Sequence, residues 1–431
     1  MLDAVLEQTY SLRGTTSVPG DKSISHRAVM IGALAEGETV IDNFLAAEDC
    51  LATIRCIRTL GIHVEGPDNG RVCVRGCGLH GLREPEEVLD AGNSGTTMRL
   101  MLGILAGQPF FSVLTGDRSL RRRPMRRVTG PLRQMGATVL GRNDAAFAPL
   151  AILGRPHLKP LRYTSPVASA QVKSAILLAG LFADGYTSIT EPARSRDHTE
   201  RLLREFGAEI HVDGNSVAVK GRPQLKGAAI TVPGDISSAA FLLAAALILP
   251  DAEITVTDVG LNPTRTGIIE VMKSMGADIE VFATREIGCE PVGNIRARSS
   301  RLVGVSVEKN MVPRLIDEIP VLAVLAAVAD GVTVVCGAEE LRVKESNRLT
   351  AIATELVRLG AHVTETRDGL IIKGGSSLHG TTVDSYGDHR IAMALAVAGL
   401  AAQGSTTIRG AECVSISFPG FFEVLNSLRP Q

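Results

Sequence analysis

The chain of 431 residues contains no Trp, and aromatic residues make up only 3% of it. Its cores must therefore be assembled from Ala, Val, Ile and Leu, which the 45% hydrophobic content supplies. Net charge is also lacking: 45 Lys and Arg face 46 Asp and Glu, for a formal charge of −1. General polyanion binding draws on many uncompensated cations, so no nucleic-acid partner is expected and any anion site must be local. The longest uncharged apolar stretch, Ala239 to Leu249, is far too short for a bilayer helix, and no membrane partner is expected. Met1-Leu2-Asp3-Ala4-Val5-Leu6-Glu7 has no cationic segment ahead of an apolar run, so no signal peptide is expected. Seven cysteines (Cys50, Cys56, Cys73, Cys77, Cys289, Cys336, Cys413) form no CxxC, and Cys73 and Cys77 have no second Cys/His pair at zinc spacing. Buried or half-buried thiols in a reducing, cytoplasmic compartment are the expectation.

What the sequence does have is a repeat, in a chain too long for one ordinary domain. An Ala/Leu-rich helical stretch ends in a small turn and is followed by a short β-branched strand. Examples are Phe182-Ala-Asp-Gly185-Tyr-Thr-Ser-Ile189 and Val328-Ala-Asp-Gly331-Val-Thr-Val-Val335. The turn residues Gly37, Gly107, Gly185, Ala252, Gly331 and Gly404 recur at intervals of 67 to 79 residues. A charged helix closing on Gly before a strand follows five times, at Gly61, Gly136, Gly207, Gly276 and Gly360, where a left-handed helix terminus suits Gly. The sixth copy stops at Phe421 to Leu428, where its Gly would fall. One such unit cannot bury both faces of its own sheet, so neighbours must pack together. The expected fold is α/β, with two similar domains of three repeated βαβαββ units each. Ser17-Val18-Pro19-Gly20-Asp21 and Thr231-Val232-Pro233-Gly234-Asp235 echo each other ahead of helices and read as a paired crossing point. They divide a discontinuous first domain (1–19 and 234–431) from a second (20–233), with a cleft expected between them.

Polar residues gather where the repeated helices begin, and helix N-termini are natural anion sites. The first such place is Pro19-Gly20-Asp21-Lys22-Ser23-Ile24-Ser25-His26-Arg27, which lacks the GK[ST] core of a nucleotide P-loop. Asp90 to Arg99, containing Gly92-Asn93-Ser94-Gly95-Thr96-Thr97, reads equally as an anion cradle or a capped helix start. Gly116 to Arg127 holds six Arg in ten residues; a solvated helix face is the plain explanation, an inward Arg the functional one. Ser165 to Ser174 and Ser195-Arg196-Asp197-His198 offer small hydroxyls that suit phosphate or simple caps. Asp317-Glu318 ahead of an apolar helix are either dipole-favoured caps or functional carboxylates. Lys344, Glu345 and Arg348 are spaced to share one helix face, and Gly387-Asp388-His389-Arg390 opens the last long helix.

Jointly, Pro-Gly-Asp-Lys-Ser-Ile-Ser-His-Arg, Gly-Asn-Ser-Gly-Thr-Thr, Arg-Val-Lys-Glu-Ser-Asn-Arg and Gly-Asp-His-Arg resemble the 5-enolpyruvylshikimate-3-phosphate synthase family, in order and over nearly the whole chain. The resemblance implies the inside-out α/β barrel of that family. It also implies its reaction: phosphoenolpyruvate and shikimate 3-phosphate give an enolpyruvyl ether and phosphate, in the shikimate pathway to chorismate. No metal or organic cofactor is implied, and a cytoplasmic monomer is expected. By match to the family, Lys22, Gly95, Arg123, Gln171, Arg348, His389 and Arg390 should contact phosphoenolpyruvate. Lys22, Ser23, Arg27, Ser169, Gln171, Ser195, Arg196, Asp317 and Lys344 should contact shikimate 3-phosphate. Asp317 is the expected base, and Glu345, with Lys22, the expected acid. Lys344 and Arg348 beside Glu345 work against its acid form, which a bound phosphate and exclusion of water would have to restore.

The sequence departs from the family pattern at three places. Ala170 stands for the second Ser of a Ser-Ser pair, with Arg196 as a compensating cation; His198 stands where Tyr is frequent; Ile416 stands where many members carry Lys. The sister family acting on UDP-N-acetylglucosamine usually carries a Cys in the loop matching Thr115–Leu120, where this chain has none. A non-catalytic anion-binding module would need neither Asp317 nor Glu345.

Overall fold

The computed structural model describes residues 3–430; Met1, Leu2 and Gln431, the outermost residues of the expected first domain, lie outside the described residues. The chain divides into two units, Met1–Pro19 with Pro233–Gln431, and Gly20–Val232.

In the unit Gly20–Val232, three helices are almost wholly buried: Lys22–Leu34, Gly95–Ala106 and Ala170–Gly180. Apart from Lys22, Arg27, Arg99 and Lys173 near their N-terminal ends they carry no Lys, Arg, Asp or Glu, so the rest of each can be surrounded by apolar neighbours at little desolvation cost. Gly103 lets two of them approach closely, since a Cβ there would lie 2.3 Å from the carbonyl oxygen of Ala175. Three other helices, Glu48–Thr59, Arg126–Gln134 and His198–Glu205, bury one stripe and expose charged residues on the other.

Three four-stranded sheets accompany these helices, and each follows one pattern. In one, Leu89–Asp90 runs parallel to Phe111–Thr115, which pairs antiparallel with Phe147–Leu153, itself paired with Thr138–Gly141. Chain order is thus strand, buried helix, strand, amphipathic helix, then a hairpin, which is the βαβαββ unit. Alternation along each strand sends one face to the helices: Ala148, Leu150 and Ile152 are buried while Pro149 and Leu153 are exposed. In the first sheet the parallel strand is Ala229–Thr231, from the far end of the unit, pairing Ile230 with Ile41. The three sheets are therefore joined end to start.

The other unit repeats the plan with Ile236–Ile248, Ile319–Val328 and His389–Ala401 as buried helices. The three pack against one another. Gly267–Ser274, Arg348–Arg358 and Phe421–Ser427 are its amphipathic ones. Its last sheet has three strands, because the sixth repeat ends without a hairpin and Ala4–Glu7 pairs antiparallel with Ser405–Arg409 in that place. All five Gly after the amphipathic helices have φ between +86° and +106°, the left-handed region expected for them. Asp21 and Asp235, the matching residues of the two echoed segments, cap the Lys22 and Ile236 helices by accepting from the Ile24 and Ser237 N–H groups at 2.9 and 2.8 Å. Among the described residues no helix is long and apolar enough to cross a membrane. Cysteine differs in part from expectation: Cys77 and Cys336 are exposed, while Cys50, Cys56 and Cys413 are buried. Burial pushes the thiols of Cys56 and Cys413 up to about 12, so both stay protonated at neutral pH.

Candidate active site

In the unit Gly20–Val232, the residues singled out at three helix openings join one hydrogen-bonded network. Lys22, half-buried in the first turn of its helix, is paired with Asp49 at 2.8 Å. Arg27, one turn later and 3% exposed, donates to Thr199 Oγ1 at 2.7 Å, to Ser174 Oγ at 2.8 Å and to the Ser23 carbonyl at 2.9 Å. Ser23 is not the cap, which is Asp21. At the second opening Ser94 caps the helix by accepting from the Thr97 N–H at 3.1 Å. A Cβ added at Gly95, the first residue of that helix, would come within 2.9 Å of Arg99 Nη1 and 3.1 Å of Arg123 Nη1, so two guanidinium groups converge on a residue with no side chain.

Arg123 is the inward member of its run. It is 6% exposed and donates to Asn93 Oδ1 at 2.7 Å, whereas Arg118, Arg121, Arg122, Arg126 and Arg127 are exposed. The run is not a single helix face: it passes through a 3-10 turn at Leu120–Arg122 before the helix that begins at Arg126. At the third opening Gln171 accepts from Arg99 at 2.5 Å and donates to Thr96 Oγ1 at 3.0 Å, tying the Ala170 helix to the Gly95 helix. Ser169 precedes that helix without capping it, and its N–H donates to Glu191 at 2.8 Å. Ser195 is buried and donates its hydroxyl to Glu191 at 2.8 Å; Arg196 is half-buried; His198 is 2% exposed.

A hydroxyl chain connects the first two openings. His26 Nδ1 meets Thr53 Oγ1 at 2.7 Å, Thr53 meets Thr97 Oγ1 at 2.7 Å, and Thr97 Oγ1 donates to Ser94 Oγ at 2.8 Å. Burial, then the charges of Lys22 and Arg27, hold His26 well below the usual histidine range, so it stays neutral.

In the other unit the singled-out residues meet around Arg348. Its guanidinium donates to Asp317 at 3.0 Å, Glu345 at 2.5 Å and Asp388 at 2.8 Å, with the side chain only 2% exposed. Burial opposes its charge, but Asp388, Glu345 and Asp317 outweigh it, and the group is held above the usual arginine range. Lys344 lies 3.9 Å and Arg390 3.8 Å from the same Asp317 oxygen, so three cations face three carboxylates. Asp317 and Glu318 occupy a 3-10 turn ahead of the Ile319 helix, and neither side chain caps it. Instead Glu318 accepts from Ser237, which also accepts from the buried Arg265 at 2.8 Å. The expectation of a shared helix face for Lys344, Glu345 and Arg348 is corrected: the helix begins at Arg348, and the other two lie in the bend before it. Their charges still converge because the bend folds back across the Arg348 side chain. Asp388 caps the last buried helix, accepting from the Arg390 N–H at 3.0 Å, and His389 beside it is 1% exposed. Ile416, at the place of a frequent Lys, packs partly buried against the apolar core of this unit.

Sequence reasoning missed Asp49, Glu191 and Arg265 as partners of these residues. Glu191 lies only four residues before Ser195, but Arg265 stands at no spacing that ties it to its partners, and Asp49, 27 residues from Lys22, has only its place at the start of an amphipathic helix as a signal. Asp388 and Arg99 lay within segments already noted, without an assigned role.

Comparisons with known proteins place the chain in a family. The family model described as EPSP synthase (3-phosphoshikimate 1-carboxyvinyltransferase) matches residues 6–425. The chain is 59% identical over 427 residues to a 3-phosphoshikimate 1-carboxyvinyltransferase of Desulforamulus reducens, covering 99% of each. It is 61% identical over 425 residues to one of Pelotomaculum thermopropionicum, covering 98% of each. Among solved structures it is similar to an EPSP synthase from Acinetobacter baumannii, with a TM-score of 0.88, 47% identity and coverage of 99% of this chain and 98% of that one. Over nearly all of its length, in motif order and in fold, this chain belongs to the EPSP synthase family of 3-phosphoshikimate 1-carboxyvinyltransferases.

Proposed function

We propose that the chain transfers the enolpyruvyl group of phosphoenolpyruvate to the 5-hydroxyl of shikimate 3-phosphate, releasing phosphate. The observation that carries this reading is Arg348, one buried cation bonded at once to Asp317 and Glu345. The reaction needs a base for the 5-hydroxyl proton, an acid for the methylene carbon, and cations for an adduct that expels phosphate. Asp317 is assigned as the base. Glu345 is assigned as the acid, with Lys22 as the second proton carrier. While Arg348 donates to Glu345 its protonated form is disfavoured. Substrate phosphate and carboxylate, drawing on the same cations, restore it once water is excluded.

Phosphoenolpyruvate is assigned to Lys22, Gly95, Arg123, Gln171, Arg348, His389 and Arg390. Shikimate 3-phosphate is assigned to Lys22, Ser23, Arg27, Ser169, Gln171, Ser195 and Arg196, with Asp317 and Lys344. Gly95 supports this reading, because the space that a Cβ would fill there lies against Arg99 and Arg123. We place the enzyme in the cytoplasm as a monomer, a compartment suited to cysteines whose spacing makes no disulfide framework. A sedimenting species larger than the 45.5 kDa chain would refute the monomer.

The test is phosphate release with both substrates and with each omitted in turn. Release only when both are present supports the proposal. Release with UDP-N-acetylglucosamine in place of shikimate 3-phosphate, or no release at all, refutes it.

A further inference from the structure

The Ala170–Gly180 helix and the segment running into the His198–Glu205 helix are joined by an ion cluster that the reaction above does not use. Lys173 Nζ lies 2.8 Å from Glu200 and 3.1 Å from Glu191, and donates to the Ser195 carbonyl at 3.2 Å. All three side chains are at most 2% exposed. Burial opposes the charge of Lys173, but Glu200 and then Glu191 outweigh it and hold the ammonium above its usual range. Ions buried this deeply are costly to desolvate, and apolar side chains of similar volume often fill such space with no loss of stability. Placement of neighbouring groups is the more direct return on such a cluster.

Glu191 is the member that reaches outward. One oxygen accepts the Ser169 N–H at 2.8 Å; the other accepts the Ser195 hydroxyl at 2.8 Å and the Ser195 N–H at 3.4 Å. The chain neighbours of the other two members continue the pattern. Ser174, next to Lys173, and Thr199, next to Glu200, are bonded to each other at 2.6 Å and both accept from Arg27. Ser169, Ser195 and Arg27 are thus held from behind by one buried assembly. Lys173, which sits in the same polar helix opening as Ser169 and Gln171, turns into this buried cluster.

We infer that Glu191, anchored by Lys173 and Glu200, is a positioning residue that sets Ser169 and Ser195 for the phosphate group of shikimate 3-phosphate. The inference rests on the proposed function. Glu191 acts through its neighbours: it fixes the Ser169 backbone at the helix opening and the rotamer of Ser195. Loss of a charge-assisted acceptor that orders two ligand residues should weaken one substrate selectively.

The experiment measures both Michaelis constants and kcat for Glu191→Gln and Glu191→Asp, with thermal melting to confirm that each variant is folded. The expected result is a rise of about tenfold or more in KM for shikimate 3-phosphate, with KM for phosphoenolpyruvate moving less than about threefold. The shorter but charged Asp should recover part of the loss. A folded variant with an unchanged KM for shikimate 3-phosphate overturns the inference, as does a parallel rise in both constants, which marks general structural damage. If Glu191→Gln does not fold, Glu191→Asp decides by the same split. Should the wild-type chain show no turnover with both substrates, the proposed function fails instead. Calorimetric titration of shikimate 3-phosphate against wild type and the folded variant then still reads the inference.

Discussion

Replacing Arg348 with Met tests the energetic centre of the unit formed by Met1–Pro19 and Pro233–Gln431. The side chain is 2% exposed and holds Asp317, Glu345 and Asp388 at 3.0, 2.5 and 2.8 Å. Removing one partner of a buried ion pair costs about 3–5 kcal/mol, because the remaining charges stay buried without compensation. Lys344 and Arg390, 3.9 and 3.8 Å from Asp317, relieve part of the loss at that carboxylate, so a cost within that range is expected. Since the folded Arg348 is held above an already very basic value, its charge and its contribution are present at every pH below the ordinary arginine range. Lowering the pH from 8 to 6 should leave the wild-type contribution intact. At about 1.4 kcal/mol per tenfold, 3–5 kcal/mol corresponds to roughly 150- to 4,000-fold faster amide exchange where global opening of the unit governs exchange. The assay is hydrogen exchange read by mass spectrometry on peptides from Ile319–Val328, Arg348–Arg358 and His389–Ala401, with peptides from 20–232 as the internal reference. Arg348→Lys should fall between the two, since a single ammonium cannot fork to three carboxylates. Exchange at the wild-type rate in Arg348→Met would refute the reasoning, showing that the carboxylates lose nothing when their cation is removed.

Gly95→Ala should raise KM for phosphoenolpyruvate about tenfold or more and affect shikimate 3-phosphate less, because the new Cβ sits 2.9 Å from Arg99 and 3.1 Å from Arg123; equal effects on both substrates would count against it. Glu345→Gln should lower kcat by about 10²- to 10⁴-fold if Glu345 delivers the proton, and wild-type turnover would end that assignment. The depressed His26 makes a stability prediction with a definite sign. Below about pH 6.5 the unfolded chain binds a proton at His26 that the folded chain does not, so acid favours unfolding. Between pH 7 and pH 5 the wild type should lose stability relative to His26→Gln, measured by denaturant titration at each pH. A gap that stays constant over that range would show that His26 does not resist protonation.

Much of this protein can be read directly from its residues. The spacing of Gly37, Gly107, Gly185, Ala252, Gly331 and Gly404 announces repeated units, and the five Gly after the amphipathic helices lie in the left-handed region that such termini require. Capping by Asp21, Ser94, Asp235 and Asp388 follows from local chemistry, since an Asp or Ser side chain reaches N–H groups two or three residues ahead of it. Local reasoning fails where a local competitor looks equally good. Asp317 and Glu318 have the sequence of helix caps but turn to Arg348 and Ser237. Five of the six clustered Arg are solvated, and only the sixth, Arg123, turns inward.

The sequence by itself determined the element types, their order, the sixfold repetition and the family, because periodicity, turn chemistry and motif order are properties of neighbours along the chain. Tertiary structure alone decided which charges meet: Lys22 with Asp49, Lys173 with Glu191 and Glu200, Arg348 with Asp317 and Asp388. The reason is physical. A buried ion takes whichever opposite charge the packing of the helices brings within about 3–4 Å, and that choice leaves no trace in sequence spacing.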